Sequence, residues 1–338
     1  MVSRSLEPEI RSRIDRVFAR QQTRALELRA SSAKDRIGRL RRLHASLQRH
    51  RADIYAAAMA DFSKPEAEVD LTELFPVVSE IRHSIRHLRR WMRPKRVWPT
   101  LALIGTSAEI RYEPRGVTLI IVPWNYPINL AFGPLTCAIA AGNTAIIKPS
   151  ELTPNFSRVT RQIVEDAFDE GEVAVFEGDA TLAATLQEYP FDHVFFTGSP
   201  AVGKLVMAAA ARNLTSVTLE LGGKSPTIVD ATADIPKAAR NIMWGKLSNN
   251  GQTCISPDYL LVHESVRDRL IREAVRWIES TYGRTHAEQR QTPDYCRIVS
   301  ERHYGRLVGL LDDAVSRGAK VAYGGAGTRR TASSARRS

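Results

Sequence analysis

The sequence predicts an α/β protein, with a parallel-sheet architecture of the nucleotide-binding type first and a second α/β domain after it. Three observations predict this. From residue 116 onward, short apolar runs alternate with helical segments, as βαβ units do. The run 116–122 is apolar along its length, as a strand buried on both faces would be. A glycine loop, Phe195-Phe-Thr-Gly198-Ser199-Pro-Ala-Val-Gly203-Lys204, joins a strand to a helix.

The elements before the sheet are helical. Ser31 and Ser32 can cap a helix predicted to run to about Asp61, with Ile37, Leu40, Leu43 and Leu47 on one face. A second helix carries Leu74, Val78, Ile81, Ile85, Leu88 and Met92 in a 3–4 rhythm and stops at Pro94. Residues 108–115 alternate charged and apolar side chains and read as an exposed strand. Strands are then predicted at 116–122, 144–148, 173–176, 193–196 and 217–219. Helices are predicted at 128–141, 156–168, 181–189 and 201–212 between them. After Gly222-Gly223 come strands at 226–229 and 259–262 and helices at 235–247 and 266–282. The domains read as 1–222 and 223–325, with a Gly/Ser/Thr/Arg-rich tail, 326–338, that lacks any apolar period and is expected to be disordered.

Composition narrows the function classes. The 338 residues are 43% hydrophobic and 25% charged, with no apolar run of the ~18 residues a membrane span needs. The Arg-rich N-terminus carries Glu7, Glu9 and Asp15 and no apolar core, which argues against a targeting segment. Three cysteines without paired spacing give neither a disulfide framework nor a zinc site, so free thiols in a reducing, cytoplasmic setting and no metal are expected. The net charge of +11 raises nucleic-acid binding, but the excess is mostly arginine on amphipathic helices, where a solvated face explains it. No nucleic-acid and no membrane partner is expected.

Five segments carry chemistry. The glycine loop favours a phosphate at a helix start. Its Gly198-x4-Gly203-Lys204 spacing is that of a P-loop, but Leu205 stands where a magnesium-binding hydroxyl is required. A dinucleotide pyrophosphate needs no such hydroxyl, and a plain strand-to-helix turn is the remaining alternative. Asn249-Asn-Gly-Gln-Thr-Cys254 puts a thiol in a small, polar setting, whereas Cys137 has the apolar neighbours of a core residue. A carbonyl-attacking thiolate needs such exposure; spacing alone leaves catalysis and simple exposure open. Glu220, at the end of an apolar strand, is expected to be desolvated and able to act as a general base, or else to pair with Lys224. In Pro123-Trp124-Asn125-Tyr-Pro127 two prolines fix the turn, so Asn125 offers either a rigid oxyanion donor or an Asx turn. Lys148 and Glu151 follow a strand where a ribose would lie, or form a surface ion pair.

Together these segments resemble the aldehyde dehydrogenase superfamily. The match comprises Pro-Trp-Asn-Tyr-Pro, Ala-Gly-Asn-Thr-Ala-Ile-Ile-Lys-Pro-Ser-Glu, Phe-Thr-Gly-Ser-x3-Gly, Leu-Glu-Leu-Gly-Gly-Lys-Ser-Pro and Gly-Gln-Thr-Cys, in family order, over about residues 15–325. Phe191-Asp-His-Val-Phe-Phe, Asn213-Leu-Thr-Ser-Val-Thr and Pro257-Asp-Tyr look like the class 3 branch, nearest the coniferyl-aldehyde dehydrogenases. The resemblance implies a Rossmann-like cofactor domain and oxidation of a hydrophobic or aromatic aldehyde to the acid. It gives Cys254 as nucleophile, Glu220 as general base and Asn125 as oxyanion donor. Trp124, Lys148, Glu151, Gly198, Ser199 and Gly203 would hold NAD, with NADP possible; a homodimer would pair through 108–115. Two departures stand out. Family members carry roughly a hundred further residues, so the resemblance implies an incomplete catalytic domain, with a frameshift or truncation as the expected origin. An impaired remnant that only binds dinucleotide is therefore the alternative reading. Asn250 stands where the family usually has alanine.

Overall fold

The computed structural model describes residues 6–325; the expected disordered tail, 326–338, lies outside the described residues. The first helices are α1 (Pro8–Arg29), α2 (Ala33–Arg49), α3 (Arg51–Phe62), α4 (Glu66–Val69) and, after a π-helical turn at Asp70–Leu74, α5 (Phe75–Trp91). A ribbon follows, β1 (Lys95–Val97) with β2 (Ala108–Ile110). Then come β3 (Val117–Ile121), α6 (Asn129–Ala141), β4 (Thr144–Lys148), α7 (Pro154–Ala167), β5 (Val173–Val175), α8 (Ala180–Leu186), β6 (His193–Gly198), α9 (Pro200–Ala211) and β7 (Ser216–Leu221). The chain continues through β8 (Ser225–Val229), α10 (Ile235–Leu247), β9 (Pro257–Val262), α11 (Glu264–Tyr282), α12 (His286–Gln291) and α13 (Glu301–Ser316).

Two compact units divide these elements within the described residues: 6–54 with 70–220, and 55–69 with 221–325. Residues 55–69, read from the sequence as part of the first domain, pack with the second unit. The helix expected from residue 31 to about 61 is two helices. Ser32 does cap α2, in a capping box with Asp35, but His50 leaves helical geometry and its Nδ1 lies 2.9 Å from Asp53 in the first turn of α3.

The first unit is built on a five-stranded sheet in the order β5-β4-β3-β6-β7, with β3 parallel to β4 and to β6, and β4 parallel to β5. Every residue of β3, β4 and β5 is buried, because α6 covers β3 and β4, α7 covers β5, and α1 packs on β3 and β4. The arginines of the first helices are not only a solvated face. Arg36 caps α6 from outside, donating to the carbonyls of Ala140 (3.3 Å) and Ala141 (2.6 Å). Gly142 ends α6 in the left-handed region (φ 93°), and a Cβ there would lie 2.6 Å from the Arg36 guanidinium carbon. Arg24, Arg39 and Arg42 converge on Glu172 at 2.8, 3.3 and 2.7 Å. Cys137, expected in the core, is exposed: it faces outward from α6 while Leu135, Thr136, Ala138 and Ile139 face inward.

The strand expected at 108–115 is shorter. Only Ala108–Ile110 pairs, antiparallel with Lys95–Val97. The ribbon is exposed throughout, and Trp98 beside it is 96% exposed.

The second unit has a thinner core. Val229, Ile235, Ala239, Ile242 and Leu270 form its buried cluster, where α10 packs on α11. Its sheet is the parallel pair β8–β9, with Ile228 at 75% and Leu261 at 53% exposure. An apolar groove of about 400 Å³ is lined by Ile242, Leu260, Leu270, Ile278, Leu311 and Val315, among others. Among the described residues no helix is long and apolar enough to cross a membrane.

Candidate active site

In the first unit, the carboxyl ends of three neighbouring strands come together. Ile121 of β3 pairs with Lys148 of β4 on one side and with Phe196 of β6 on the other. The chain leaves β3 toward β4 and β5, then returns to the opposite side of β3 with β6. The strand order therefore reverses between β3 and β6, and open parallel sheets bind ligands in the crevice at such a reversal. The segment holding Trp124 and Asn125 leaves β3 on one flank; Gly198 and Ser199 leave β6 on the other. Asn125 and Trp124 are half-buried.

The residues at this edge fit a dinucleotide. Lys148 is buried, 4% exposed, and its Nζ lies 2.6 Å from Glu151 Oε2, so the expected pair forms, more enclosed than a surface pair. Ser199 caps the 12-residue α9, its hydroxyl accepting from Val202 N–H, and Gly203 N–H donates to the Ser199 carbonyl at 2.9 Å. Gly203 is buried on the first turn. At Gly198 a Cβ would come within 2.4 Å of the Phe196 ring, so the loop stays flush with the strand end. The Thr197 hydroxyl is buried with no hydrogen-bond partner among the described residues, a polar atom at the strand end with capacity for a ligand. Leu205 is 69% exposed, so an apolar side chain stands where a P-loop needs its metal-binding hydroxyl.

Glu220 lies one residue from the end of β7, the last strand at its edge of the sheet. Its side chain is exposed, so the expected desolvation is absent; among the described residues β7 is an edge strand of the sheet. Lys224 pairs with Asp258, Nζ to Oδ2 at 3.2 Å.

In the second unit, Cys254 is an exposed thiol between a short 3-10 turn (Ser248–Gly251) and β9. The backbone ahead of it is left-handed at Asn249, Asn250 and Gly251, with φ of 52°, 52° and 73°. Asn249 is fully buried. Sequence reading singled out Asn250 in this turn but none of the partners that fix it, which lie some 45 residues downstream. Gln252 donates to the Arg297 carbonyl (3.0 Å) and accepts from Val299 N–H (2.9 Å). The buried Cys296 thiol, pushed up to about 12 by burial, lies 3.3 Å from Asn249 Oδ1.

Gly223 touches the same loop. A Cβ there would fall 2.7 Å from the backbone carbonyl oxygen of Cys254, which cannot swing aside as a flexible side chain would. Gly223→Ala is expected to destabilise the second unit by about 1–3 kcal/mol, the usual cost of overpacking. Urea unfolding followed by tryptophan fluorescence checks it; an unchanged midpoint would contradict the close approach.

The comparisons agree with one another. The model of the Aldehyde dehydrogenase family matches residues 8–335. Putative aldehyde dehydrogenase AldX of Bacillus subtilis is 44% identical over 95% of this chain and 72% of its own length. A probable coniferyl aldehyde dehydrogenase of Caulobacter vibrioides is 41% identical over 90% of this chain and 63% of its own. Among solved structures, substrate-bound AldH of Staphylococcus aureus superposes with a TM-score of 0.87 at 42% identity, covering 94% of this chain and 68% of that one. PnpE in complex with nicotinamide adenine dinucleotide gives 0.83 at 25% identity, covering 94% and 65%. The chain thus spans about two thirds of the length of the proteins it matches.

Proposed function

Because the chain belongs to the aldehyde dehydrogenase family, we propose that it oxidises an aldehyde to the carboxylic acid with Cys254 as nucleophile and a nicotinamide dinucleotide as oxidant. The observation that carries the reading is the exposed Cys254 thiol on a turn held in left-handed geometry. The Cys254 thiolate attacks the carbonyl carbon; a C–S bond forms and the carbonyl π pair moves to oxygen. The Asn125 amide and the Cys254 N–H donate to that oxyanion. The dinucleotide, when bound, supplies the hydride acceptor. The oxyanion pair re-forms the C=O bond as the carbon's hydrogen leaves with its bonding electron pair as hydride, and a thioester remains on Cys254. Glu220 then takes a proton from water as its oxygen attacks the thioester carbon, the C–S bond breaks, and the acid leaves with the thiolate restored.

On this reading Lys148 and Glu151 hold the adenosine ribose, with Trp124, Gly198, Ser199 and Gly203 bordering the rest of the cofactor. The Glu151 carboxylate would repel a 2′-phosphate, which favours NAD over NADP. A hydrophobic or aromatic aldehyde follows from the similarity to coniferyl-aldehyde dehydrogenases. The exposed ribbon β1–β2, with Trp98 beside it, is the surface we assign to a homodimer contact, and a reducing cytoplasm suits the free thiol.

A second reading, a chain that only binds dinucleotide, is favoured by the thin core of the second unit. Reduced cofactor formed from an aromatic aldehyde separates the two, with Cys254→Ser as control. Turnover abolished by Cys254→Ser supports the enzyme. A folded chain that quenches its tryptophans with NAD but forms no reduced cofactor leaves the binding reading alone.

A further inference from the structure

We infer that Asn250 and Tyr295 are positioning residues for Cys254: the hydrogen bond between them ties the turn ahead of the thiol to the 295–299 segment and fixes where that thiol stands. The inference rests on the reading of Cys254 as the nucleophile. The backbone needs such a tie. Non-glycine residues rarely adopt the left-handed region, and here two in succession do so, Asn249 (φ 52°, ψ 29°) and Asn250 (φ 52°, ψ 39°). Asparagine tolerates that region better than most residues, but geometry of this kind persists only where the surroundings over-determine it.

The surroundings do so through amide side chains. The Tyr295 hydroxyl donates to Asn250 Oδ1 at 2.6 Å, and Asn250 Nδ2 donates to the Cys296 carbonyl at 3.0 Å. One side-chain amide thus grips two successive residues of the facing segment and cannot rotate without losing both bonds. Gln252 adds a second grip two residues on, with Nε2 donating to the Asn249 carbonyl (3.0 Å) as well as to that of Arg297 (3.0 Å). The facing segment is itself fixed: Arg297 N–H donates to the Phe62 carbonyl at 2.7 Å, and the Tyr295 ring packs on Tyr282 with centroids 5.0 Å apart. Cys254 follows Asn250 by four residues, so freedom at Asn250 becomes displacement at the thiol. An alanine at 250 would leave the Tyr295 hydroxyl without this acceptor and give up the left-handed tolerance together.

The test uses Tyr295→Phe, which keeps the ring and removes the donor, Asn250→Ala, the double variant, and Asn250→Asp, which keeps the acceptor. Three quantities are measured on the full chain: amide hydrogen exchange of 249–254, the pH profile of Cys254 alkylation by iodoacetamide read on its own peptide, and kcat against KM for an aromatic aldehyde. Exchange at 249–254 is expected to rise about tenfold in Tyr295→Phe and Asn250→Ala, with β9 and α10 unchanged. The alkylation profile should alter in both, and kcat should fall by roughly tenfold to a hundredfold at constant KM. The double variant should be no worse than the worse single, and Asn250→Asp should recover part of the loss. Additive single effects, or unchanged exchange and alkylation in variants that melt like the parent, overturn the inference. Should Tyr295→Phe fail to fold, Asn250→Asp against Asn250→Ala decides it. Exchange and alkylation are readable without turnover. If Cys254→Ser retains activity, the nucleophile reading fails while the exchange result still decides whether the tie exists.

Discussion

Replacing Glu220 by glutamine is expected to leave formation of the proposed thioester intact and to slow its hydrolysis by about 10²–10⁴-fold, the range a positioned general base contributes. Rapid mixing with aldehyde and NAD should then show a burst approaching one reduced cofactor per chain, followed by a slow steady rate. The substitution suits the test. Glu220 is exposed near the end of β7, so glutamine, of almost the same shape, removes no core packing. A steady rate equal to the parent's would remove Glu220 from the role. Loss of both burst and steady rate would place it before the thioester.

The largest stability effect is expected at Glu172. Arg39 is 3% exposed, and burial pushes its guanidinium down to about 10, a sign of how costly an unpaired charge would be there. Besides Glu172 it reaches the Asn143 carbonyl at 3.2 Å, while its Nη1 has no partner among the described residues. Arg24 and Arg42 are 40% and 50% exposed and contribute little by comparison. Glu172→Ala is expected to destabilise the first unit by about 3–5 kcal/mol, because it strands the Arg39 charge. Substituting both Glu172 and Arg39 with apolar residues should cost less than Glu172→Ala alone; equal or larger loss would contradict the argument. The pH dependence has a definite sign. Burial raises the Glu172 carboxyl, but the bonds and charges of Arg24, Arg39 and Arg42 outweigh it and the net shift is downward from 4.5. The carboxylate's contribution is therefore present above about pH 4.5 and lost as pH falls through the lowered folded value. Acid melts of the parent should steepen there more than those of Glu172→Gln.

Much of the fold was legible because strand burial and helix period are local signals. Thr144–Lys148 and Ile235–Leu247 occur at the predicted bounds, and α6 ends at Ala141, the end predicted for that helix. Residue type alone says surface for the arginines of the first helices; Arg36 and Arg39 depart from it, drawn inside by carbonyls and a carboxylate more than a hundred residues away. An apolar strand suggests neighbours on both sides and a desolvated Glu220; among the described residues β7 has one neighbour in the sheet, β6. The chemical residues were legible through their motifs. Asn250 stood out in the turn before Cys254, but its partner Tyr295 did not, since the two are 45 positions apart and Tyr295 carries no local pattern.

The membership of 55–69 in the second unit has a kinetic consequence. The Asn249 N–H donates to the Glu68 carboxylate across 181 positions of sequence. During synthesis from the N-terminus, at about 5–20 residues per second, this stretch emerges on the order of ten seconds or more before its partners exist. The parallel sheet of the first unit can form around it in that interval, so 55–69 waits as a loop hung from a finished body. Closure of so long a loop makes the second unit the late, high-contact-order step of folding, and the one most open to chaperones and proteases before it is complete.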